Sequence, residues 1–165
     1  MQRSNDPKKR KNSKVHDDRV RFAKRYRHIG VSFPSVPEGW IPIVKNAVEL
    51  IEKRMWPQWI PLPLRQLIHW LATGNSVVKI KYYWAYRLRQ YLTRGQMISC
   101  IKDKFAGLRI YGTYGSEIEA IITAAEIECS ETCEFCGSTP SRITGQGWLY
   151  NACSRCEAER QLSRR

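Results

Sequence analysis

The sequence predicts an α+β fold: a small helical body with a short β-hairpin, followed by a C-terminal module built around four cysteines. Three patterns predict it. Apolar residues recur at helical spacing in four separate stretches, two short and partly alternating runs between residues 97 and 111 are divided at Ala106-Gly107, and two Cys-x-x-Cys pairs lie near the C-terminal end. With 165 residues, 42% hydrophobic and 26% charged, the chain has the composition of one globular domain and enough apolar side chains for a core.

The first 28 residues read differently from the rest. Eleven lysines and arginines stand there against three aspartates, so this segment holds +8 of the net charge of +13. Up to Val20 it offers almost nothing apolar to bury, and the entropy lost on ordering it would not be offset. Residues 1–28 are therefore expected to be a disordered basic arm. Lys8, Lys9, Arg10, Lys11, Lys14, Arg19, Arg21, Lys24, Arg25 and Arg27 are its candidate contacts to a polyanion, because clustered cations displace the counterions condensed on nucleic acid.

Residues 29–128 read as the folded body. A Pro- and Gly-rich loop, GVSFPSVPEGWIP, leads into a helix whose start has the form of a capping box at Asn46 and Glu49 and which stops before Pro57. Pro63 suits the first turn of a second helix, with Leu64, Leu67, Ile68 and Leu71 on one stripe until Gly74; His69 beside that stripe reads as a packing histidine. The stretch Val77 to Arg94 fits both periods. Its length favours a helix from Trp84 to Arg94, after a short strand or directly. On that helix Tyr83, Arg87, Tyr91 and Arg94 share a side, and with Lys79 and Lys81 they form a second candidate nucleic-acid surface of cations between rings. Met97 to Phe105 and Leu108 to Tyr111 then suggest a hairpin. Ser116 with Glu119 resembles a capping box for a helix running to about Cys129.

Residues 129–165 form the third unit, expected to end in a short helix. Cys133 and Cys136 are two residues apart, as are Cys153 and Cys156, with sixteen residues between the pairs. This is the spacing of a four-thiolate zinc ribbon or knuckle, with Gly137 suited to the left-handed turn of the knuckle. Four sulfurs close the coordination sphere, so one Zn²⁺ is expected in a structural role. Cys129 and Cys100 read as core thiols.

The run IKDKFAGLRIY, the acidic-apolar segment EIEAIITAAEIE, CEFCG, GWLYNAC and SRC together resemble small, largely uncharacterised bacteriophage and prophage proteins that carry an IKEKFGGLRFY-like motif before a zinc knuckle. Ala106 stands where that family has Gly, and Cys156 where many members have His. The resemblance implies a viral or mobile-element accessory protein in the cytoplasm of a bacterial host cell. It brings no activity with it.

The functional expectation is a non-enzymatic protein that binds DNA or RNA through the basic arm and the basic-aromatic surface. The other class is an interaction module that captures a host defence or transcription protein. His16, His28 and His69 and the scattered carboxylates form no acid-base pair or nucleophile triad, so no enzyme is expected. The absence of an 18-residue apolar run predicts no membrane span, and the charged start predicts no secretory leader.

Overall fold

The structure, a computed structural model, describes residues 7–31, 35–74, 82–145 and 147–162. These form an α+β fold with six α-helices and two small antiparallel hairpins among the described residues. The helices are α1 (Pro7–Arg25), α2 (Ile41–Met55), α3 (Leu62–Thr73), α4 (Tyr83–Thr93), α5 (Ser116–Glu131) and α6 (Ser154–Leu162). Strands β1 (Met97–Lys104) and β2 (Gly107–Thr113) make the first hairpin, and β3 (Arg142–Thr144) and β4 (Tyr150–Ala152) the second. In the body, α3 packs on α4, α2 on α5, and α5 covers β2.

The N-terminal segment departs from expectation. Residues 7–25 form a helix rather than a disordered arm, and the reason lies at its C-terminal end. Phe22, Tyr26 and Ile29 are buried and join one core with Trp40, Val44, Val48 and Ile51. Their spacing continues an apolar stripe across the segment's apparent boundary, and apolar burial offsets the cost of ordering the helix.

A buried carboxylate fastens this end of α1 to α2 and α3. Glu52 Oε1 accepts from His28 Nε2 at 2.7 Å and from Arg25 Nη1 and Arg65 Nη1 at 3.1 Å each. Burial alone would raise the Glu52 pKa, but the Arg25 hydrogen bond and the neighbouring positive charge hold it below the ordinary value. Arg65 also donates to the carbonyls of Ile60, Pro57 and Gln58, so one guanidinium ties the α2–α3 turn to the carboxylate. His28, expected in the arm, has no exposed surface. Burial lowers its pKa despite Glu52, so the neutral ring donates through Nε2, since a carboxylate only accepts.

Helix starts also differ from expectation. α2 begins at Ile41, with Pro42 in its first turn and directly after a short 3₁₀ turn at Glu38–Trp40, which leaves Asn46 inside the helix. Gly115, not a Ser116 capping box, precedes α5; its carbonyl accepts from the amides of Ile118 and Glu119. Glu117 and Glu119 still place negative charge at the positive end of that helix. The first hairpin closes through Phe105 and Ala106, with φ of 54° and 58°. A two-residue turn that matches strand twist demands φ > 0 at both positions, and two residues other than Gly accept that strain here.

Two buried histidines set a pH dependence. Burial and the charge of Arg89 push the His69 pKa down to about 4, and burial lowers that of His28. The unfolded chain binds protons at these groups near pH 6.5 while the native state does not, so their contribution is present above that pH and is lost on acidification. The thermal midpoint should fall as pH drops from 6.5 to 5.5, above the range in which ordinary carboxylates titrate. His69→Leu should flatten that decline; a midpoint constant across this interval would contradict it.

Candidate metal centre and basic surface

The C-terminal module is built on two local devices. The first is a turn after α5: the Gly137 amide donates to the Cys133 carbonyl and the Cys133 amide to the Ser138 carbonyl, both at 2.9 Å. Gly137, with φ of 74°, supplies the left-handed residue that closes the turn. The second device is the start of α6. Cys153 immediately precedes this helix and Cys156 lies in its first turn, so the second pair sits on a helix rather than on a second knuckle of a ribbon. The β3–β4 hairpin bridges the two pairs, and Tyr150 and Ala152 pack beside the sulfurs.

These elements bring the ligand atoms of Cys133, Cys136, Cys153 and Cys156 within 4.8 Å of one another. Cys136 Sγ and Cys153 Sγ are 3.7 Å apart, too far for a disulfide and close to the edge of a tetrahedron with metal–sulfur bonds of about 2.3 Å. The group could therefore hold one metal ion. Side-chain and backbone hydrogen bonds at Ser138 lower the Cys136 pKa to about 6, while burial and the neighbouring sulfurs push that of Cys156 up to about 12, so Cys136 is the group's readiest thiolate. Arg155 has its pKa raised by its hydrogen bond to Cys136 and by the Cys136 and Cys156 charges. Arg142 pairs with Glu157 at 2.9 Å.

No family model, curated protein or solved structure matches this chain.

Cys129 lies outside the sulfur group. It is fully buried in the body core, and burial pushes its thiol up to about 12. The contacts that join the module to the body carry no sequence motif. Trp40 Nε1 donates to the Thr132 carbonyl at 2.7 Å, and the Gly39 amide to that of Glu134 at 2.9 Å. A side chain at Gly39 would run into the Cys133 carbonyl and come within 2.7 Å of the Gly137 amide nitrogen, so only glycine lets the knuckle seat there. Fully buried Asn151 donates to the carbonyls of Cys129 and Ser130, fixing β4 on the end of α5.

The candidate polyanion contacts fall into three groups. Lys8, Lys9, Arg10, Lys11 and Lys14 lie along the first turns of α1. Lys24 and Arg27 are exposed, and Arg21 is exposed beside Asp18, but Arg19 donates to the Val36 carbonyl and Arg25 to Glu52. The last two act first in holding α1 to the body. Tyr83, Arg87, Tyr91 and Arg94 are all exposed along α4. Lys79 and Lys81, and the strand considered before Trp84, lie outside the described residues. Trp84 is exposed; Ala85, Arg89 and Thr93 are the buried positions of the helix.

Cys153→Ser should lower metal content from one ion per chain to a small fraction and expose the C-terminal module to protease. Cys129→Ser should retain the metal despite a loss of stability. Full metal content in the first variant, or loss confined to the second, would reject the four-sulfur assignment.

Proposed function

We propose that this chain is a non-enzymatic nucleic-acid-binding protein whose C-terminal module is held by one structural Zn²⁺. The exposed face of α4 carries the reading. Tyr83 and Tyr91 are 59% and 82% exposed, and Arg87 and Arg94 lie between and beyond them on the same side. The Tyr83 and Tyr86 rings are 6.0 Å apart and close to parallel. Solvated aromatic faces interleaved with guanidinium groups provide both stacking and phosphate contact. The net charge of +13 supplies long-range attraction to a polyanion.

Zinc is the metal of this proposal because four soft thiolates with no open position suit it in a scaffolding role. The motif resemblance of residues 101–156 to phage and prophage proteins supports reading this chain as an accessory protein of a mobile element that acts in a bacterial cytoplasm. Capture of a host protein is the competing class. It predicts binding that survives high salt and nuclease treatment.

Titration of labelled DNA and RNA across a salt series tests the proposal. The affinity should fall linearly on log-log axes with salt; Arg87→Gln and Arg94→Gln should each reduce the slope by about 1, and deletion of residues 1–15 by several units. Absence of binding at low-micromolar protein in low salt would overturn it, as would a slope indifferent to all three changes.

A further inference from the structure

Two arginines of the body are buried, and they are treated in opposite ways. Arg65 has the Glu52 carboxylate and three backbone carbonyls. Arg89, only 3% exposed, has buried Nε and Nη2 atoms without a hydrogen-bond partner. Burial lowers its pKa, and only the Tyr86 phenol acts in the other direction. No ion pair among the described residues includes it. A guanidinium removed from water without a counter-charge is destabilising. The fold keeps that cost at one particular place.

That place is the wall of a cavity. Arg89 lines a space of about 460 Å³ together with Thr73 at the end of α3, Tyr83, Tyr86 and Gln90 of α4, and Met97 of β1. Thr73 also lines a neighbouring space of about 420 Å³ bordered by Lys24, Arg27 and His69. Among the described residues no carboxylate borders either one. Each volume lies in the usual range for a small-ligand site.

Two requirements define the occupant. A desolvated, unpaired guanidinium calls for an oxyanion, which reaches its solvent-closed Nε and Nη2 only when side chains of the cavity wall shift, and its fork geometry suits phosphate or carboxylate oxygens. The paired Tyr83 and Tyr86 rings, 26° from parallel, provide a flat apolar wall next to it. A phosphate with a planar base attached satisfies both, whereas inorganic phosphate leaves the rings unused. A base already stacked and paired in a duplex cannot turn onto the rings without being pulled out of its stack.

We propose that this cavity is a subsite for single-stranded nucleic acid, in which Arg89 takes a phosphate and the Tyr83–Tyr86 pair stacks on the adjoining base. It rests on the nucleic-acid reading above and narrows it to unpaired strands. The exposed cations of α4 and α1 supply attraction that any polyanion would feel, and the Arg89 cavity supplies discrimination.

Competition and direct binding with the full chain test the subsite. The probes are a thymidine oligonucleotide of about ten nucleotides, an abasic strand of equal length, a duplex of equal length, thymidine monophosphate and inorganic phosphate. The wild type should prefer the oligonucleotide over the duplex by about tenfold or more. Arg89→Met should weaken oligonucleotide binding at least about tenfold while the thermal midpoint stays level or rises, because a buried unpaired charge is gone. Tyr83→Ala, at an exposed position, should weaken oligonucleotide binding about tenfold and leave the abasic strand unaffected. If Arg89→Met does not fold, Tyr83→Ala and the abasic strand decide the question. Oligonucleotide affinity unchanged by both variants, or equal for duplex and single strand, would remove the subsite while leaving the general nucleic-acid reading intact. Thymidine monophosphate or inorganic phosphate binding as tightly as the oligonucleotide would reassign the cavity to free anions. No binding to any nucleic acid would overturn both proposals.

Discussion

The meeting of four cysteine sulfurs is the constraint on which the C-terminal third of the fold depends. β3 and β4 contribute three residues each, and among the described residues the module's buried apolar set beyond the cysteines consists of Tyr150 and Ala152, with Phe135 packed beside them. A two-stranded hairpin of that size is not stable in water by itself. A nine-residue helix with a highly polar sequence adds little. A common ion linking the knuckle to the first turn of α6 would replace the core that such a short chain cannot build. The Arg160 guanidinium, 4.6 Å from the Phe135 ring centroid and 4.8 Å from that of Tyr150, then closes the module over those rings.

The same module is not free to move against the body. Gly39 and Trp40 receive it at the start of α2, and Asn151 locks it to the end of α5. The 3₁₀ turn at Glu38–Trp40 is thus both the lead-in to α2 and the seat of the knuckle. On the far side of α2, Glu52 gathers α1 and α3. One helix therefore carries a dock at its start and an ionic junction near its end, and the basic helix α1 and the sulfur group are both referred to it. The body satisfies the charge of Arg65 internally and leaves Arg89 facing a cavity, a contrast that separates scaffold from candidate site within two adjoining helices.

The sequence revealed some of this arrangement and concealed the rest for identifiable reasons. α2, α3 and α4 were legible because proline and glycine bracket apolar residues at helical spacing, and the sulfur group because Cys-x-x-Cys pairs restrict where their sulfurs can go. The helix α1 was concealed by its charge: Phe22, Tyr26 and Ile29 continue its stripe, but Ile29 lies beyond the segment set apart on charge alone, and Arg19 and Arg25 do structural work that composition cannot distinguish from solvation. Arg89 stands two positions from Arg87, and a strand period would put both on one face. On a helix two positions differ by about 200°, which sends one guanidinium to solvent and the other into the interior. Gly39 and Asn151 had no local signal, since their roles exist only once distant segments meet.

X-ray absorption at the metal edge, on full-length protein expressed and purified without added metal, addresses the central claim most directly. Four sulfur scatterers at about 2.3 Å around a single zinc are the predicted result. A first shell containing oxygen or nitrogen, fewer than four sulfurs, or no bound metal would contradict the closed thiolate cage and with it the account of how the C-terminal module folds.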